Sequence, residues 1–372
     1  MKSMIVYLSL AMMHCAFAEQ QPPELTGTVS FNVRSRGGRI ENLAVQIGDG
    51  GTGKYKAILA GDSRLPTHAI YRPRDLKPFG GKMLLPIVAF GNGGCRTGSG
   101  EFRNILSEVA SHGYVVLAIG PAGDAVVGGS EGRTGQTQAS QLLDGVEWIS
   151  KENSREGSDY YKKIDTSKVA VMGQSCGTRQ ASQVSSDPRV TTTVLLNGGG
   201  EAPGSAAPAT APGSGRGAAA QTQAPGAYGN ANQGTTNLFA GLETLARRYA
   251  PYAPSAMPPS VDAGTAAGRP QPPVSYHGPV AYIPGGPSDL AFTGAVAAFD
   301  NVPNVPALLA YQDVGHYPGT YREPHGGAYA RAVIAWLDWQ LKKDPMAKQM
   351  FAGPDCGFCK DPKWTIKSKN LN

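Results

Sequence analysis

The stretch from Val169 to Gly177, VAVMGQSCG, is the strongest indication of the fold of this chain. Its four apolar residues at 169–172 predict a strand buried on both faces. The five residues that follow match the pattern Gly-x-Ser-x-Gly. A sharp turn from strand to helix strains the backbone of its central residue and crowds the flanking positions, so glycines, which lack a Cβ atom, are needed at the two ends of the pattern. The sequence therefore predicts that Ser175 lies above the end of a strand, directly before a helix, where its hydroxyl serves as a nucleophile.

The segments on both sides of this turn alternate between strand and helix patterns. Continuous apolar runs predict buried strands, and apolar residues spaced three or four apart predict helices. The predicted strands are 55–59, 68–71, 84–90, 114–119, 169–172, 192–196, 280–283 and 305–311, and the predicted helices are 102–111, 137–149, the segment after Ser175, 291–299 and 328–341. This alternation predicts an α/β fold with a central, mostly parallel sheet and helices on both faces.

A nucleophilic serine needs a general base, and chain order points to His316. In hydrolases with this turn the order is serine, acid and histidine, with the histidine on the loop after a late strand. His316 lies directly after the predicted strand 305–311. The chief alternative is His325, which falls near the start of the last predicted helix.

The third member of such a triad is a carboxylate that orients the imidazole. The predicted strand 280–283 runs into GGPSD, which ends at Asp289, and this residue is the best candidate. Asp313 and Asp300 are the alternatives, and each of the three is also suited to a turn or a helix cap.

Acyl transfer also needs backbone N–H groups that stabilise the developing oxyanion. One is expected from Cys176, the residue after the nucleophile. The other is expected from Asn92 or Gly93, in the glycine-rich loop after the strand 84–90. The sequence therefore predicts that these two loops lie side by side.

The first 18 residues have the pattern of an export signal. Lys2 gives a positive start, residues 4–13 are mostly apolar, and Ala16-Phe17-Ala18 is a cleavage signature. The apolar run is too short to span a bilayer. We expect a signal peptide at 1–18, a secreted domain at 19–372, outside the cell or in the periplasm, and no stable membrane insertion.

Export would place four cysteines, Cys95, Cys176, Cys356 and Cys359, in an oxidising compartment. An even number in such a compartment predicts two disulfides, and four cysteines allow three pairings. A bridge between Cys95 and Cys176 would hold the two loops at the predicted oxyanion site together. Cys356 and Cys359 would then pair locally.

Three further segments differ from the alternating pattern. Residues 201–236 are rich in Ala, Pro and Gly and lack large aliphatic residues, so they predict a flexible insertion before the strand that carries Asp289. Residues 237–276 include a helical pattern and are a possible cap or lid. Residues 344–372 form a C-terminal tail that contains the C-x-x-C sequence.

The composition excludes several classes of protein. The 372 residues carry 34 Lys or Arg and 28 Asp or Glu, which gives a formal net charge of +6. The basic residues are scattered apart from a cluster at 360–369, so no nucleic-acid partner is predicted. With 41% hydrophobic residues the chain fits neither wholesale disorder nor a multispan membrane protein.

Five short motifs, in this order, resemble those of secreted α/β-hydrolases, most closely the dienelactone hydrolase, chlorophyllase and polyester hydrolase group. They are GNGGC at 91–95, SHGY at 111–114, GQSCG at 173–177, GGPSD at 285–289 and GHYPGTY at 315–321. The resemblance extends over about residues 84–341. It implies the α/β-hydrolase fold and a triad of Ser175, Asp289 and His316. Thr178 differs from the glycine that many relatives carry at that position.

The predicted activity is cleavage of a small-molecule or polymeric carboxylic ester through an acyl-enzyme on Ser175. This chemistry requires no cofactor and no metal. Two alternatives stay open: a hydrolase fold that has lost activity and acts as a binding module, and a peptidase or acyltransferase that uses the same triad. The oligomeric state is not predicted.

Overall fold

The apolar runs expected to be buried form the centre of one mixed sheet. A computed structural model of the protein describes residues 35–36, 39–40, 42–127, 137–200, 274–302, 305–317 and 319–371. The predicted signal peptide 1–18, the insertion 201–236 and residues 237–273 of the possible cap lie outside these ranges. The described strands are β1 Ser35–Arg36, β2 Arg39–Ile40, β3 Asn42–Val45, β4 Ala57–Asp62, β5 His68–Pro73, β6 Leu85–Gly91, β7 Val115–Ile119, β8 Ile164–Gln174, β9 Val190–Leu196, β10 Val280–Ile283, β11 Ala307–Tyr311 and β12 Thr365–Lys369.

The main sheet contains ten of these strands in the order β12-β11-β10-β9-β8-β6-β7-β5-β4-β3. The central strands from β11 to β7 are parallel, whereas β12 on one edge and β5, β4 and β3 on the other are antiparallel. Strands β1 and β2 pair with each other. All residues of β6 and β7 are buried, as expected for strands covered on both faces.

Helices cover both faces of the sheet. They are α1 Arg103–Ser111, α2 Ala122–Val127, α3 Ser140–Ser154, α4 Cys176–Val184, α5 Phe292–Asn301, α6 Gly327–Lys342 and α7 Pro345–Gln349. Alternate residues of β6 point to opposite sides: Val88 and Phe90 pack in a core with α1, α2 and α6, and Ile87 and Ala89 pack in a core with α3, α4 and α5. The predicted α/β class and the mostly parallel sheet are confirmed.

No helix within the described ranges combines the length and the apolar character that crossing a membrane requires.

The ends of the central strands align at one edge of the sheet. Gly91 at the end of β6 pairs with Gly173 of β8, Gln174 pairs with Leu196 of β9, and Leu196 pairs with Ile283 of β10. After β6 the chain continues to α1 on one face, and after β8 it continues to α4 on the other. Parallel sheets bind ligands where neighbouring connections diverge in this way. The ends of β6 and β8 therefore lie where a parallel α/β sheet usually binds its ligand.

The C-terminal tail is more ordered than its composition suggests. Residues 365–369 form β12, which pairs antiparallel with β11 along five residues. Lysines at 367 and 369 suit a strand on the edge of a sheet, because charge discourages pairing with another chain. Trp364 anchors the strand, since its ring lies 4.9 Å from Phe358 and 5.8 Å from Tyr329.

Candidate active site

Ser175 occupies a strained turn between β8 and α4. Its φ of 52° and ψ of −116° lie in a region that residues with side chains rarely adopt. Glycine is required on both sides: a Cβ on Gly173 would stand 2.0 Å from the carbonyl oxygen of Gly177, and a Cβ on Gly177 would stand 2.0 Å from that of Gly91. Thr178 is accommodated because its hydroxyl donates to the Ser175 carbonyl at 2.6 Å. The turn predicted from Gly-x-Ser-x-Gly is present.

His316 lies within hydrogen-bonding distance of the serine. Its Nε2 atom is 2.8 Å from Ser175 Oγ, although the two residues are 141 positions apart in the chain. The loop after β11 is fixed by Gly315 N–H, which donates to the Gly285 carbonyl at 2.8 Å. The Gln174 side chain adds a hydrogen bond to the His316 carbonyl at 3.2 Å. The base predicted from chain order therefore faces the predicted nucleophile.

Asp289 completes a chain of hydrogen bonds. Its Oδ1 atom lies 2.6 Å from His316 Nδ1, and its side chain is fully buried. Oδ1 also accepts from Ala291 N–H at 2.9 Å, and Oδ2 accepts from Gly285 N–H at 2.8 Å and from Asn197 Nδ2 at 3.0 Å. Burial alone would raise the pKa of Asp289, but these hydrogen bonds outweigh it and lower the pKa to about 2. The carboxylate is ionised at neutral pH and fixes the proton of the imidazole on Nδ1.

The alternative residues lie elsewhere. His325 Nδ1 faces the carboxylates of Glu108, at 3.2 Å, and Asp49, at 3.6 Å. Asp313 accepts a hydrogen bond from Ser288 N–H at 2.8 Å. Asp300 lies near the end of α5, and its carbonyl accepts from Lys369. Of the candidate bases and acids, His316 and Asp289 are the two that the structure brings together with Ser175.

Asn197 and Tyr321 belong to the same network, although Asn197 lies in none of the five motifs and the GHYPGTY motif assigns no role to Tyr321, its last residue. Asn197 follows β9 with a φ of 50°, a conformation that asparagine tolerates better than most residues. Its Nδ2 donates to Asp289 and, at 3.2 Å, to the Gly315 carbonyl, so it links the acid to the loop of His316. The buried Tyr321 hydroxyl donates to Asn197 Oδ1. Burial raises the pKa of Tyr321 well above its usual value, so the phenol keeps the proton that it donates.

The loops of the predicted oxyanion donors also lie side by side. Cys95 and Cys176 form a disulfide, with their Cα atoms 5.3 Å apart. The position of a Cβ on Gly177 lies 3.1 Å from Asn92 N, so the start of α4 touches the loop after β6. The Asn92 side chain donates to the carbonyls of Ile119, at 2.6 Å, and Arg96, which fixes the loop from within. Gly93 is confined as well, because a Cβ there would meet the Gln174 side chain at 2.2 Å.

The second disulfide joins Cys356 and Cys359, so the structure contains one of the three possible sets of pairs. The two bridges close loops of very different length, with separations of 81 and 3 residues. A disulfide stabilises a fold mainly by restricting the unfolded chain, and the effect grows with loop length.

We expect removal of the longer bridge to cost much more stability than removal of the shorter one. Cys95→Ala/Cys176→Ala should lower the free energy of unfolding by about 3 to 5 kcal/mol, and Cys356→Ala/Cys359→Ala by about 1 to 2 kcal/mol. Urea denaturation of both double variants measures the difference. An equal loss in the two variants would contradict a loop-length effect and leave local packing as the main contribution.

Among the described residues, no group of three or more His, Cys, Asp or Glu side chains is arranged to hold a metal ion. Comparisons of the chain with protein-family models and with curated proteins give no match. The function of the chain therefore has to be inferred from the geometry around Ser175.

Proposed function

We propose that this protein is a secreted serine hydrolase that cleaves carboxylic esters and has the α/β-hydrolase fold. The observation that carries the proposal is the continuous hydrogen-bonded chain from Ser175 Oγ through His316 to Asp289, with distances of 2.8 and 2.6 Å. A serine on a strained strand-to-helix turn, followed in the chain by the acid and then the histidine, supports this fold. The motif resemblance to the dienelactone hydrolase, chlorophyllase and polyester hydrolase group agrees with it.

The arrangement suits a two-step acyl transfer. Ser175 Oγ attacks the ester carbonyl while its proton moves to His316 Nε2, and Asp289 stabilises the imidazolium that forms. The backbone N–H of Cys176 and that of Asn92 or Gly93 stabilise the negative oxygen of the tetrahedral intermediate. His316 then returns the proton to the leaving alcohol, which leaves the acyl group on Ser175. Water, activated by the same imidazole, releases the acid and restores the serine.

The disulfides support the secreted location. Stable disulfides occur mainly in proteins of oxidising compartments. The bridge between Cys95 and Cys176 would hold the two donor loops of the oxyanion site at a fixed separation, which preorganises the donors for the transition state. The predicted export signal agrees with this location.

Turnover of short p-nitrophenyl esters tests the proposal. We expect the purified protein to hydrolyse p-nitrophenyl acetate and butyrate with burst or steady-state release of p-nitrophenolate, followed by its absorbance. Absence of turnover and of covalent labelling by a fluorophosphonate would favour the inactive binding module. Preferential cleavage of amides over matched esters would favour a peptidase.

A further inference from the structure

Three of the five large apolar side chains exposed in the described ranges belong to the loops that carry Asp289 and His316. Leu290, Val314 and Tyr317 are 82%, 38% and 57% exposed, and each lies within two residues of Asp289 or His316. We call these three residues the apolar rim. The other large apolar side chains exposed in the described ranges, Met83 and Met346, lie outside these two loops. Met83 precedes β6, at the opposite edge of the sheet from Ser175, and Met346 belongs to α7.

The two loops that carry the apolar rim are joined to each other. Val314 N–H donates to the Gly285 carbonyl at 2.8 Å, and Ser288 N–H donates to Asp313 Oδ1 at 2.8 Å. The ring of Tyr317 meets the imidazole of His316 edge-on, with centroids 4.8 Å apart. Tyr317 of the apolar rim therefore borders the imidazole, and Leu290 and Val314 belong to loops that are hydrogen-bonded to each other.

The charges around the apolar rim favour a neutral ligand. The segments 284–291 and 312–317 contain no Lys or Arg, and their carboxyl groups are those of Asp289 and Asp313. Asp289 is buried and hydrogen-bonded, while Asp313 is exposed. Apolar side chains grouped at the surface next to a site commonly mark a binding surface. An anionic ligand would meet one exposed carboxylate and no cation on these loops.

The reaction determines which part of the substrate lies there. His316 Nε2 must reach the leaving oxygen to return the proton, so the alcohol part of the ester lies on the imidazole side of Ser175. The carbonyl oxygen lies on the other side, at Cys176 and the loop of Asn92. The geometry points to the apolar rim as the binding surface for a neutral, apolar alcohol group of several carbons. This inference rests on the proposed function and adds the substrate class to it.

Alkyl acetates from methyl to hexyl test the inference, because the acyl group is constant and the leaving alcohols differ little in acidity. We expect kcat/KM, measured by pH-stat, to rise with alcohol length, since each added methylene contacts more apolar surface. Tyr317→Ser and Leu290→Ser should lower the ratio of kcat/KM for hexyl acetate to that for methyl acetate by about tenfold. Met346→Ser is the matched control, since Met346 is 68% exposed but lies outside the apolar rim, and it should keep the wild-type ratio.

Two results would overturn the inference while leaving the proposed function in place. One is that all three variants hydrolyse the acetates with the hexyl-to-methyl ratio of kcat/KM that the wild type has. The other is that Tyr317→Ser lowers kcat/KM more for ethyl hexanoate than for ethyl acetate, with ethyl butyrate between them, but does not change the hexyl-to-methyl ratio of the acetates. The apolar rim would then bind the acid part of the ester. Failure to hydrolyse any ester, together with no fluorophosphonate labelling, would reject the proposed function itself, and the inference with it.

Discussion

Ser175→Ala is expected to abolish covalent labelling by a fluorophosphonate probe and to lower kcat for p-nitrophenyl butyrate by about 10⁴- to 10⁶-fold. Oγ of Ser175 is the atom that would bond to the probe and to the acyl group. His316 Nε2, 2.8 Å away, is the base that would activate it. The residual rate would come from the oxyanion donors and from substrate binding. Gel fluorescence and stopped-flow absorbance measure the two effects.

A second serine of the same turn-and-helix segment provides the control. Ser185 directly follows α4, and its hydroxyl donates to the carbonyls of Ser182, at 2.6 Å, and Ser275, at 3.0 Å. Ser185→Ala should therefore label like the wild type. Ser175→Ala should also unfold at a similar urea concentration to the wild type, because it removes one oxygen atom. Labelling that survives Ser175→Ala would reject this residue as the nucleophile.

The sequence contains enough information to predict this site because its main residues come from local patterns. Close backbone contact at the turn requires Gly173 and Gly177, and this requirement leaves the pattern Gly-x-Ser-x-Gly in the sequence. Buried strands likewise leave continuous apolar runs. Chain order then places Asp289 and His316 on loops after later strands. Since the ends of parallel strands meet at one edge of a sheet, residues far apart in the chain come together there.

The positioning residues could not be predicted in the same way. Asn197 and Tyr321 act through hydrogen bonds that depend on the spacing of β9, β10 and the loop after β11. No periodicity specifies such contacts, the GHYPGTY motif contains Tyr321 without indicating its partner, and Asn197 could equally have been an ordinary turn residue. The one signal for Asn197 is its positive φ directly after β9, and only the structure shows it.

Strand β12 also escaped prediction, for a different reason. Its sequence, TIKSK, has one large apolar residue, and its residues are partly or fully exposed. An edge strand of this kind is stabilised by backbone hydrogen bonds to β11 and by the burial of the neighbouring Trp364, and neither leaves an alternating pattern of apolar residues.

Asp289→Asn is expected to lower kcat by about 10⁴-fold with little change in KM. Two N–H donors, from Gly285 and Asn197, meet at the Oδ2 position, so the amide oxygen of the new side chain would be held there. The amide nitrogen would then occupy the Oδ1 position, where it donates to His316 Nδ1 and loses the hydrogen bond from Ala291 N–H. This moves the imidazole proton to Nε2, where it prevents acceptance of the Ser175 proton. Steady-state kinetics with p-nitrophenyl butyrate measures the loss.

Asp313→Asn separates this effect from a general loss of negative charge near the imidazole. Asp313 lies three residues before His316, is exposed, and accepts a hydrogen bond from Ser288 N–H, which an asparagine oxygen can also accept. Its replacement should leave kcat within about twofold of the wild type, because surface substitutions of this kind have small effects. If Asp313→Asn instead caused the large fall in kcat and Asp289→Asn did not, Asp313 would be the acid of the triad, and the buried Asp289 would be a structural residue that holds the loop between β10 and α5.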